Sequence, residues 1–92
     1  MLGEERKQKI MERVRGLLAG VDPEVHVLDV LLDSTRQQLA FVMQKGEWPI
    51  IVGMNWLDYV SHRDDDLRNR LEEGLKRRLE AARRRQAQEE EA

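Results

Sequence analysis

Residues 25–52 read VHVLDVLLDSTRQQLAFVMQKGEWPIIV, and the three apolar runs inside that stretch decide the fold. Val25–Leu32 is rich in β-branched and branched-chain residues and too short for a helical stripe, so it reads as a strand. Asp33-Ser34-Thr35-Arg36 has turn chemistry. Leu39, Phe41 and Met43 then alternate with Ala40, Val42 and Gln44 at the period of two that marks a second strand. Lys45-Gly46-Glu47 is short enough to close a hairpin. Trp48–Val52 is a third strand, with Pro49 near its start, where a missing amide donor is tolerated. Strands joined by tight turns make an antiparallel meander.

The flanks are helical. Upstream, Ile10, Met11, Val14, Leu17, Leu18 and Val21 recur at the spacing of one helix face, with Glu, Arg, Lys and Gln between them. Gly20 and Asp22-Pro23 stop that helix, which is placed at about residues 3 to 19. Downstream, Asn55 and Asp58 form a capping pattern ahead of Trp56, Tyr59 and Val60, with a fourth short strand at 56–60 as the alternative. Ser61 and Asp64 offer a second cap. Leu67, Leu71, Leu75 and Leu79 then rise in steps of four along a helix drawn from Asp64 to Arg85.

The expectation is therefore an α+β, two-layer protein: helix, three-stranded antiparallel meander, long helix (αβββα), with both helices on one face of the sheet. Residues 1–85 form a single domain, and 86–92 form a frayed polar tail. The core is expected at Leu17, Leu18, Leu28, Phe41, Ile51, Leu67 and Leu71. On strict alternation, His26, Leu28, Val30 and Leu32 point one way from the first strand, and Val25, Val27, Asp29 and Leu31 the other.

Composition narrows the function classes. A chain of 92 residues holds one modest core. Its charged fraction is 37%, against about 25% in an average domain, so the surface is laced with ions. There is no cysteine, which removes disulfides, thiol catalysis and cysteine-ligated metals, and a cytoplasmic location is expected. No apolar run approaches a membrane span. The net charge is −2, with the acidic excess in the middle of the chain, so no global field draws it to nucleic acid or anionic lipid.

Three groupings invite a chemical reading. His26 and His62 are the only histidines, and neither Ser34 nor Ser61 sits in a nucleophile motif. If one helix ran through Asp58, His62, Asp65 and Asp66, it would align them on one stripe as divalent-metal ligands, but aspartates at a helix start are expected as caps and dipole partners. Arg77, Arg78, Arg83, Arg84 and Arg85 suggest phosphate contacts. Against this, Asp64–Arg68, Asp66–Arg70, Glu72–Lys76, Glu73–Arg77 and Glu80–Arg84 are spaced for intrahelical ion pairs. The αβββα order resembles the topology of the double-stranded RNA-binding domain. That likeness ends at topology: the stretch matching the lysine-rich start of that family's second helix is Arg63-Asp64-Asp65-Asp66, and its Gly-Pro-x-His loop has no counterpart. No residue is assigned a catalytic, cofactor-binding or metal role.

The remaining signal is apolar surface. The first strand is apolar on both faces and lies at a sheet edge, and Ala40 and Val42 are not strongly polar either. The expected function is a non-enzymatic protein–protein interaction or assembly module that self-associates, with Val25, Val27, Leu31, Ala40 and Val42 at the interface and edge-strand pairing as the mode. The alternatives are a weak nucleic-acid binder using the C-terminal arginines and a small metal-dependent enzyme.

Overall fold

The computed structural model describes residues 3–91. Helix α1 spans Glu4–Ala19, with Glu4 and Glu5 in its first turn, where carboxylates oppose the helix dipole. Ile10, Met11, Val14 and Leu18 are its buried stripe. It ends at Gly20, and the amides of Val21 and Asp22 both turn back onto the Leu18 carbonyl.

Strands β1 (Val25–Asp33), β2 (Gln38–Lys45) and β3 (Trp48–Asn55) form one antiparallel sheet in the order β1-β2-β3. The Asp33 carboxylate accepts the amides of Thr35 and Arg36 at 3.1 and 3.2 Å and shapes the first turn. The second hairpin closes through Gly46 and Glu47, with Gly46 at φ +58°, a conformation that a side chain would strain.

The 56–60 segment is helical, which overturns the fourth-strand alternative. The Asn55 side chain accepts the Leu57 amide at 2.8 Å and starts α2 (Trp56–Ser61). After a break at His62 and Arg63, α3 runs Asp64–Glu91. It continues past Arg85, because Gln, Ala and Glu are good helix formers and no breaker intervenes. Of the 86–92 tail, residues 86–91 belong to this helix, and Ala92 lies outside the described residues.

Helix α1 packs on β1, α3 on β3, and the two helices touch, so together they roof one face of the sheet. The core between the layers takes Val14, Leu18, Val30, Leu39, Phe41, Met43, Leu67 and Leu71, all fully buried. The Arg13 guanidinium joins α1 to the α2–α3 corner. It lies 5.1 Å from the Tyr59 ring centroid and donates to Asp64 Oδ1 at 3.0 Å and to the His62 carbonyl at 3.1 Å.

Two expected core residues are on the wrong side. Leu28 and Ile51 are each 54% exposed. For Leu28 the cause is a β-bulge: Val27 pairs with Met43 and Asp29 with Val42, so Leu28 is an inserted residue. The insertion reverses the alternation, so Val25, Val27, Val30 and Leu32 all turn toward the helices, while His26, Leu28 and Leu31 turn away. For Ile51 the cause is register. The two-residue hairpin sets Lys45 opposite Trp48, which places Ile51 beside Val42 and across the sheet plane from Phe41.

Candidate functional site

The outer face of the sheet is the candidate site. Its residues lie in rows fixed by the strand register. One row runs from the Leu28–Asp29 bulge through Val42 to Ile51, and the next runs Leu31, Ala40, Gly53. Outside these lie His26, Gln44 and Pro49 at one end, and Asp33, Gln38 and Asn55 at the other. Leu28, Leu31 and Ile51 are all more than half exposed, and Val42 and Ala40 are partly so. The helices lie on the opposite face, so no element of the described chain covers these side chains.

The relief of the face is uneven. Ile51, Val42 and Leu28 stand up in one row. Ala40 and Gly53 in the next leave a shallow hollow, bordered by Leu31, Arg36 and Gln38. A β-carbon built on Gly53 would meet only the Leu39 carbonyl oxygen, at 3.8 Å. The hollow therefore opens outward.

Of the expected interface residues, Leu31, Ala40 and Val42 are on this face. Val25 and Val27 are not: they are 8% and 4% exposed and belong to the internal core, as the alternation before the bulge requires. The edge of β1 is also occupied. Arg15 Nη2 donates to the Val27 carbonyl at 3.1 Å, and the Asp29 carboxylate accepts the Val30 amide at 2.8 Å. Lys7 of α1 meets the same carboxylate at 2.6 Å. The hydrogen bond from Lys7, and after it the one from the Val30 amide, hold the Asp29 carboxyl below the usual carboxylate range. A bulge, two side-chain-occupied backbone groups and a charge pair are the devices that keep an edge strand from pairing. The bulge and its ion pair were not read from the sequence. The signal available was a single aspartate inside an otherwise apolar strand.

The other groupings are dispersed. Asp58 accepts Arg70 at 3.0 Å, and the His62 ring lies against the Asp58 carbonyl of its own helix. Because α2 and α3 are separate helices, the stripe through Asp58, His62, Asp65 and Asp66 does not form. Among the described residues no three His, Asp or Glu side chains are grouped to hold a metal ion.

On α3, Glu72–Lys76 and Glu73–Arg77 pair as their spacing implies, at 3.4 and 3.2 Å. Arg68 instead meets Asp65, Arg70 meets Asp58, and Asp64 is taken by Arg13. Arg78, Arg83, Arg84 and Arg85 lie exposed along the far part of the helix. No helix of the described chain is long and apolar enough to cross a membrane. Comparison with protein-family models, with curated proteins and with solved structures gives no match to this chain.

Proposed function

We propose that this protein is a non-enzymatic interaction module that self-associates, and that the outer face of its sheet is the surface it uses. One observation carries the reading: Leu28, Leu31 and Ile51 stand more than half exposed on one continuous face, with Val42 and Ala40 between them. A half-solvated antiparallel sheet ordinarily puts polar residues on its wet side. Scattered exposed leucines need no explanation, but a patch spanning three strands is the kind that marks an interaction surface.

The nucleic-acid alternative has less support. Asp64, Asp65 and Asp66 open the helix that would carry the contacts, and Arg77 is engaged by Glu73. The metal-enzyme alternative relies on a cluster in which Asp58 is engaged by Arg70, the His62 ring lies against the Asp58 carbonyl and Asp65 meets Arg68.

The test is solution mass by sedimentation velocity over a wide concentration range, for the wild type and for Leu31→Lys. A mass that rises with concentration in the wild type and stays monomeric in Leu31→Lys is the expected result. A wild type that remains monomeric throughout removes the self-association reading.

A further inference from the structure

We infer that the partner is a second copy of this chain, stacked outer face on outer face about a two-fold axis that crosses the strands between the Val42 row and the Ala40 row. This rests on the preceding reading of the outer face and adds the geometry of the contact. Edge-to-edge pairing through β1 is opposed by the bulge and by Arg15 and Asp29, which occupy Val27 and Val30. Face-to-face stacking uses the surface that no described element covers.

The axis follows from the register. Strand rows on one face repeat every second residue, about 6.6 Å apart. A two-fold axis midway between the two apolar rows lays each row on the other. Ile51 then falls on Gly53 of the second copy, Val42 on Ala40, and Leu28 on Leu31. Large side chains meet small ones on β2 and β3, which is how two faces interdigitate rather than collide. The same operation brings the polar rows together: His26 falls on Asp33, Gln44 on Gln38, and Pro49 on Asn55. An imidazole N–H can donate to a carboxylate, and two amide side chains can exchange hydrogen bonds. Apolar rows and polar rim are thus both self-complementary under one operation, as an isologous interface requires.

The area places the contact among weak ones. Three strands of eight or nine residues present a face about 14 Å by 26 Å, roughly 370 Å² per copy. Two such faces fall below the roughly 1,200–2,000 Å² of a stable complex. A contact of this size is that of a weak, reversible dimer, which calls for measurement up to high concentration.

The test is sedimentation equilibrium on the full chain from about ten micromolar to about one millimolar, with folding checked by circular dichroism and thermal melting. Gly53→Val fills the hollow at a position where the monomer has room for a β-carbon. It is expected to keep the fold and weaken the dimer at least tenfold. Ile51→Ala combined with Gly53→Val restores a large-on-small match and is expected to recover most of that loss. If Leu31→Lys abolishes the dimer but Gly53→Val leaves it intact, or the double variant recovers nothing, this register is overturned while the outer face keeps its role. If the wild-type dimer survives Leu31→Lys, or the wild type is monomeric at one millimolar, the reading of the face and this inference fall together.

Discussion

Phe41 and Met43 are wholly buried on the inner face of the sheet, while Val42 between them and Ile51 beside it face outward. The two faces are built from similar side chains and meet opposite surroundings. The inner face is roofed by α1 and α3; no helix of the described chain lies on the outer face. Strand propensity cannot tell these faces apart, since valine and isoleucine suit both. What separates them is the supply of helix: two amphipathic helices lying side by side cover one face of a three-stranded sheet and leave nothing for the other.

The largest expected contrast is between the two faces in single variants. Phe41→Ala should lower unfolding free energy by about 3–5 kcal/mol, a large share of what a small domain has. Ile51→Ser, measured by urea unfolding at a concentration where the protein is monomeric, should change it by no more than about 0.5 kcal/mol. A cost of several kcal/mol for Ile51→Ser in the monomer would mean that the outer face is covered from within, and the comparison would collapse.

A second contrast probes how tightly the roof is pressed down. Gly16 on α1 has nothing within 4 Å of a built β-carbon, whereas the same atom on Gly74 of α3 would lie 2.9 Å from Val52 Cγ1 on β3. Gly16→Ala should therefore stabilise by about 0.5–1 kcal/mol through helix propensity alone. At Gly74 the same gain is set against overpacking of about 1–3 kcal/mol on a stiff β-branched side chain. Gly74→Ala is expected to destabilise by about 1 kcal/mol. Thermal unfolding of the two variants decides it; equal stabilisation by both would place α3 further from the sheet.

Much of the inner layer was legible. The stripe through Ile10, Met11, Val14 and Leu18 and the ladder Leu67, Leu71, Leu75 carry helical periodicity strong enough to give both helix and face, and all seven are buried. The alternation Leu39, Phe41, Met43 gave the inner side of β2. The outer face was misread because parity counted along β1 fails at an inserted residue. Leu28 is the inserted residue, so Val27 before it and Val30 after it both face inward, and Asp29 is the one residue type there that hints at the extra position. Ile51 was readable in principle, since a two-residue hairpin at Gly46-Glu47 fixes its partner as Val42. Counting outward from that turn, rather than weighing hydrophobicity, would have placed it outside. The pairing of Arg13 with Asp64 depends on how α1 crosses the α2–α3 corner, which local sequence does not specify.

The smallest expected effect comes from acid, and it distinguishes the two faces by charge rather than packing. The roof is tied to the sheet by ion pairs. Lys7 of α1 meets Asp29 of β1 at 2.6 Å, and Asp22, in the loop after α1, meets Lys45 of β2 at 2.6 Å. The Lys45 hydrogen bond lowers the Asp22 carboxyl, with partial burial opposing it and the Glu24 amide reinforcing it; Asp29 is lowered by its partners in the same sense. A carboxyl whose folded pKa lies below its unfolded value contributes stability that is fully present above about pH 4 and is lost as pH falls through the folded pKa. Wild-type stability should thus decline below about pH 4 more steeply than that of an Asp22→Asn, Asp29→Asn variant. The variant should be slightly less stable at neutral pH and converge on the wild type in acid. Both pairs are partly solvated, so added salt should shrink the difference. Ile51→Ser, which touches no charge, should follow the wild-type pH curve. Melting temperatures from about pH 6 to about pH 2 test this. Curves for the wild type and the double variant that run parallel throughout would mean that these carboxylates do not help fasten the helices to the sheet.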